Sequence, residues 1–149
     1  MKKFRFQLET LLRVTKRKKD DAELRFAEAS RKLEEALQRQ DQLNNELKSV
    51  QLEYEQMTGV GKSINVGQIV MYNDFFNWKR MQIANQKQVV LMAQGDKQKR
   101  LKELMEVMSY LKSIEQLKEK RFREYQEELM YEEQKMLDEI GLQLYTRKN

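Results

Sequence analysis

Apolar residues recur every three and four positions through the first third of this chain, and no proline interrupts any of its 149 residues. A repeat averaging 3.5 residues is the seam of a coiled coil, in which each apolar side chain seats against a partner helix. The row begins at Phe4, Leu8 and Leu11 and continues through the weaker Thr15, Lys18 and Ala22. After one extra step of four it resumes at Phe26, Ala29, Leu33, Ala36, Gln40, Leu43, Leu47, Val50, Tyr54 and Met57. The doubled step near Ala22 predicts a stutter, where a supercoil locally unwinds. A helix from Phe4 to Thr58 would be about 80 Å long. With so narrow an apolar stripe it needs a second helix against it.

Composition agrees. Only five glycines accompany the missing prolines, too few for the turns that an all-β or alternating α/β fold requires. The chain is 36% charged, with 29 Lys and Arg against 24 Asp and Glu, and 40% hydrophobic. That hydrophobic share, with near-balanced charge, argues against disorder. The absence of cysteine and histidine removes disulfides, thiol nucleophiles, thiolate metal sites and the side chain that titrates near neutrality. A carboxylate enzyme would still need a concave pocket, and a thin pair of helices has little interior. A carboxylate enzyme thus stays open as a remote reading, and neither metal nor cofactor is expected. No apolar run approaches the roughly 18 residues that cross a bilayer. Met1-Lys2-Lys3-Phe4-Arg5 leads into a charged helix rather than an apolar signal core, so a cytoplasmic location is expected.

Gly59-Val60-Gly61 marks the end of the first helix, because glycine suits a left-handed C-terminal cap. Asn65 followed by Gln68 has the form of a capping box that opens the next helix. The expected layout is a single coiled-coil domain over 1–149, with a helix at about 4–58, a turn at 59–65 and a long helix at about 66–146. In the second helix the apolar residues are Ile69, Tyr72, Phe76, Ile83 and Val90, then Leu101, Leu104, Met108 and Leu111, and finally Phe122, Tyr125, Leu129, Met136, Ile140 and Leu144. Gly95 either kinks this helix or leaves it unbroken, since one interior glycine costs only about 1 kcal/mol. Two registers are open. A tight hairpin about Gly61 sets Phe4 opposite Leu117 to Glu119 and leaves the last thirty or so residues unpaired. Otherwise Val66 to Gln94 folds at a tip and the two ends of the chain pair. The clearer turn signal favours the tight hairpin.

Several motifs have competing readings. Gly61-Lys62-Ser63 resembles the end of a phosphate loop, but the position five residues earlier is Gln56, and no strand precedes it as that motif requires. It reads as a capping turn. Lys2, Lys3, Arg5, Arg13, Lys16, Arg17, Lys18 and Lys19 surround Phe4, Phe6, Leu8, Leu11 and Leu12. Such a helix either grips an anionic lipid or acidic partner, or opens the coiled coil with its charges solvated. Tyr72, Phe75, Phe76 and Trp78 crowd most sides of one helical turn, more than a two-stranded seam buries. They form either a thick tip or an exposed binding patch. Glu127, Glu128, Glu132 and Glu133 are a solvated acidic face. Nucleic acid is a poor fit, since bases alternate with acids and the net charge is only +5.

The opening Phe4-Arg5-Phe6-Gln7-Leu8-Glu9-Thr10-Leu11-Leu12-Arg13, followed by Asp21-Ala22-Glu23, resembles the start of the FliJ family, small coiled-coil proteins of the flagellar type III export apparatus. Glu119-Lys120-Arg121 with Tyr125, then Glu132-Glu133-Gln134-Lys135 and Leu137-Asp138-Glu139-Ile140, are similar to that family's C-terminal half. The resemblance spans the chain, including the glycine-marked break. Gly141 departs from it where a helix former is expected, so the end of the last helix is expected to fray. The resemblance implies an antiparallel two-helix coiled coil, elongated and like the stalk of rotary ATPases. It also implies a non-enzymatic role: entering and promoting the ring of the export ATPase FliI, contacting the gate protein FlhA and escorting export chaperones. Membrane association would then be peripheral, through partners. On this reading Phe4, Leu8, Leu11, Leu12, Arg13 and Lys16 touch the ATPase, and Tyr54, Phe75, Phe76 and Trp78 touch the gate. The alternative is a basic coiled coil that binds anionic membrane or nucleic acid.

Overall fold

The computed structural model describes residues 3–59 and 61–148; Lys2 of the basic cluster, Val60 of the expected turn, and the terminal residues Met1 and Asn149 of the expected domain lie outside the described residues. Among the described residues there are two helices and no strand: α1, Glu9–Met57, and α2, Val66–Lys148. The helices pack against each other in opposite directions, so the fold is an all-α antiparallel hairpin. The chain divides into two compact units, residues 22–104 and residues 1–21 with 105–149.

In the unit of residues 22–104, Ala22, Ala29, Ala36 and Leu43 recur every seventh residue of α1 and are buried, with half-buried Phe26, Leu33 and Gln40 between them and Leu47 next in the row. Three small side chains in that row let the facing helix approach closely, since interaxial distance follows the side chains at the contact. Antiparallel pairing is explicit in three contacts. The Gln86 amide donates to the Ala36 carbonyl at 2.9 Å, the Lys97 ammonium lies 5.9 Å from the Phe26 ring centre, and the Lys79 ammonium reaches Glu46. The packed row on α2 runs Ile69, Tyr72, Phe76, Lys79, Ile83, Gln86, Val90, Ala93, Lys97, Arg100 and Leu104, in unbroken steps of three and four. Leu101, assigned to this row from the sequence, is exposed, and Arg100 takes the seam position. Long polar side chains can do so by laying their stems along the seam with their heads in water.

The loop between the helices is built locally. Thr58 closes α1 by donating its N–H and its hydroxyl to the Tyr54 carbonyl. Gly61 has φ of 83°, the left-handed region that glycine enters without penalty, while the Lys62 N–H donates to the Gly59 carbonyl. Among the described residues it is Gly61, not Gly59, that takes this conformation. The Asn65 side chain accepts from the Gly67 N–H at 2.9 Å, and the Gln68 side chain accepts from the Asn65 N–H at 3.3 Å. The Gln68 bond is the back-reaching half of the expected capping box, while the Asn65 side chain caps Gly67 rather than Gln68; both satisfy donors that a helix start otherwise leaves unpaired. The helix then passes through Gly95 and Gly141 without a break.

In the other unit the core is Phe6, Leu12, Leu111 and Ile114, with Phe4, Leu8, Leu11 and Leu117 packed around it. Helix α1 starts at Glu9 rather than Phe4. Residues two apart point to opposite sides of a helix but to one side of an extended chain, and the non-helical entry lets both Phe4 and Phe6 reach α2. Phe4 packs edge-on to Phe122 at 5.1 Å and against Tyr125 at 5.6 Å, a few residues beyond the Leu117 to Glu119 of the expected register. Glu9 pairs with Lys118 at 3.0 Å. The expected stutter is absent. Leu12 and Thr15 are buried, Lys19 is half-buried and Lys18 exposed, so the row Leu8, Leu12, Thr15, Lys19, Ala22 keeps steps of four and three. Thr15 satisfies its hydroxyl on the Leu11 carbonyl at 2.7 Å. Val107 occupies the seam where Met108 was expected, and Arg121 does so beside Phe122. From Met130 to Lys148 every residue is exposed.

Candidate functional site

The N-terminal candidates separate by burial. Leu12 is 2% exposed and belongs to the core. Phe4, Leu8 and Leu11 pack against that core and retain part of their surface, while Arg13 and Lys16 are exposed with Lys3, Arg5, Arg17 and Lys18 around them. The Arg121 guanidinium lies 5.8 Å from the Phe6 ring centre, adding cation–π attraction to the packing. Beside Phe4 a groove of about 590 Å³ is lined by Lys3, Phe4 and Arg5 from the N-terminal segment and by Tyr125, Glu128, Leu129 and Glu132 from α2.

The aromatic candidates form one connected set within the unit of residues 22–104. Tyr54 on α1 meets Tyr72 at 5.1 Å and Phe76 at 5.7 Å, in near-perpendicular contact with the latter. Phe75 bridges to Phe76 and to Trp78. Tyr54, Phe75 and Phe76 are half-buried, and Trp78 is 55% exposed. The Tyr72 hydroxyl points at the Met57 sulfur at 2.9 Å. Burial, seconded by the nearby Glu53 carboxylate, raises its pKa above the ordinary tyrosine value, so the ring stays neutral. Two shallow cavities flank Phe75 and Val50. One of about 340 Å³ is closed by Gln68, Met71 and Tyr72. The other, of about 480 Å³, is closed by Asn45, Glu46, Ser49 and Lys79.

Sequence reasoning missed the charged pair in this set. The Lys79 side chain is 5% exposed, yet its ammonium bonds Glu46, whose side chain is 47% exposed. It also lies 5.4 Å from the Phe75 ring centre and 5.0 Å from that of Trp78. The hydrogen bond from Lys79 is the main reason that the Glu46 carboxyl sits below its ordinary pKa; partial burial opposes it, and attraction to Lys79 and Arg39 assists. Nothing in local spacing signals a pair 33 residues apart. Gly61-Lys62-Ser63 lies in an exposed turn between two helices, without the strand that a phosphate loop follows. Among the described residues no group of acidic side chains could hold a metal ion, and no helix is long and apolar enough to cross a membrane.

Two helices packed along a mixed seam, with aromatic and basic side chains left at the surface, define a coiled-coil protein. Residues 4–149 match the family model described as flagellar FliJ protein, and the chain belongs to that family, whose members are components of the flagellar type III export apparatus. A search of curated proteins finds no significant match. Among solved structures, the chain is similar in fold to a YscO homolog from Chlamydia trachomatis. The TM-score is 0.58 at 23% identity, over 99% of this chain and 100% of that one.

Proposed function

We propose that the chain is a non-enzymatic stalk of the export apparatus that binds the ATPase FliI and promotes assembly of its ring, contacts the gate protein FlhA and escorts export chaperones. It works in the cytoplasm, held at the membrane face by its partners. The observation that carries this reading is the division of labour in the N-terminal segment of a chain that matches the family from residue 4 onward. The apolar side chains are largely committed to the hairpin's own core, which leaves the solvated Arg13 and Lys16 to meet a partner. Charged contacts of that kind are shallow and tolerate rotation of a stalk among repeated subunits, and they steer encounter more than they lock it. Tyr54, Phe75, Phe76 and Trp78 are the surface assigned to the gate, supported by the partial exposure of their rings.

The test is ATP turnover and sedimentation of the same organism's flagellar ATPase with and without the chain at physiological salt. Turnover should rise and the ATPase should shift toward hexamers. Arg13→Glu with Lys16→Glu should weaken both effects while leaving the helical circular dichroism unchanged, because both side chains are solvated. An ATPase indifferent to the chain would remove the stalk role. Salt-sensitive binding to anionic vesicles or duplex DNA would then favour the basic-helix alternative.

A further inference from the structure

One face of α2 is nearly free of charge and has no partner within its unit. In a chain that is 36% charged, Val66 to Gly95 carries only Asp74, Lys79, Arg80 and Lys87, and Lys79 is buried toward α1. A second row of three-four spacing, Met71, Asp74, Trp78, Met81, Asn85, Gln88 and Met92, follows the packed seam two residues behind, member for member from Ile69 to Val90. Two residues are about 200° of helix, so the row looks out to solvent on the side of α2 away from the seam. Its apolar members are 55% exposed at Trp78 and up to 75% at Met92, and Val70 and Val89 flank them at about half exposure.

We propose that this face pairs with the same face of a second copy of the chain, α2 against α2 and antiparallel. Such pairing does not depend on an export role. Charge selects the occupant. A partner recognised by its charge finds almost none here, whereas two identical uncharged faces meet without like-charge repulsion and form the self-complementary contact of a two-fold dimer. The exposed apolar face of residues 130–148 differs in this respect: Glu132, Glu133, Asp138 and Glu139 lie along it and would repel their counterparts. Antiparallel pairing also separates the two Asp74 carboxylates to opposite ends, where parallel pairing in register would set them side by side. The exposed area sets the upper limit of the contact. Side chains of these sizes and exposures present on the order of 800 Å² per copy, the share each partner contributes to a standard interface. Methionine supplies three of the anchors, and its unbranched thioether adapts to a facing helix. A second copy seated here covers Trp78, so a self-paired chain withholds that ring from any other partner.

The experiment is analytical ultracentrifugation of the full chain from micromolar to several hundred micromolar, at low and at high salt. The expected result is a monomer–dimer equilibrium that high salt does not dissolve. Met81→Glu with Met92→Glu should raise the dissociation constant at least about tenfold, in the range of a disrupted interface centre, with unchanged circular dichroism. Met136→Glu with Leu137→Glu should leave it unaltered. A monomer at every concentration would overturn the proposal. So would a dimer that survives the Met81 and Met92 changes, that the Met136 and Leu137 changes dissolve instead, or that high salt disperses.

Discussion

The Lys79 ammonium, buried on the α2 seam, donates to the half-exposed Glu46 carboxylate of α1 beneath the rings of Phe75 and Trp78. The two partners are unequal. Loss of the carboxylate strands a cation in the seam, whereas loss of the cation leaves a carboxylate that water can solvate.

That asymmetry fixes the order of two variants and a pH dependence. Glu46→Gln should lower the melting temperature more than Lys79→Met, which should stay within about 1 kcal/mol of wild type because an apolar chain of similar length fills the seam. Folding depresses the Glu46 pKa below its ordinary 4.5. Its contribution is therefore present above that value and lost as pH falls through the folded pKa. Thermal melts below about pH 4.5 should narrow the gap between wild type and Glu46→Gln.

Leu12 and Leu11 are adjacent in sequence and unequal in packing. Leu12→Ala should cost about 2–5 kcal/mol, the usual range for a buried leucine, and Leu11→Ala clearly less, because Leu11 keeps part of its surface in water. Urea unfolding followed by circular dichroism measures both. Equal costs would contradict a seam that passes through Leu12.

Ala36 is buried where Gln86 crosses to its carbonyl. Ala36→Leu should destabilise by about 1–3 kcal/mol through overpacking, and Leu37→Ala, on the exposed side of the same turn, by no more than about 0.5 kcal/mol. The pair is read in one denaturation series.

Two glycines should respond with opposite sign. Gly61→Ala places a β-carbon on a residue with φ of 83° and should cost about 1–2 kcal/mol. Gly95 lies inside a helix with nothing near its would-be β-carbon, so Gly95→Ala should stabilise by up to about 1 kcal/mol. Unfolding midpoints at matched slope decide both.

How far the molecule could be read in advance depended on the range of the interaction. The helix cap at Asn65 and Gln68 and the α1 row from Ala22 to Met57 were legible, because each depends on residues a turn or two apart. The α2 seam was less so. Lys79, Gln86, Lys97, Arg100, Lys118 and Arg121 occupy positions where an apolar residue would have announced it, while Leu101, Met108 and Phe122 sit one step away. One step is 100° of rotation, enough to move a side chain from the partner helix to water. At the candidate site the ring cluster could be read, and the cation beneath it could not.

By itself, then, the sequence determined that this chain forms two long helices joined by a glycine turn, since proline is absent and the three-four repeat and caps are local. It also determined the family, through motifs that need no fold to be seen. Only the tertiary structure decided which residues the seam consumes. It buried Leu12 and Lys79, left Arg13, Trp78 and Met92 in water, and drew Phe4 out of the helix onto Phe122 and Tyr125. Those outcomes depend on register between segments far apart in the chain, and register is set by the sum of many contacts across both helices rather than by any short stretch of either.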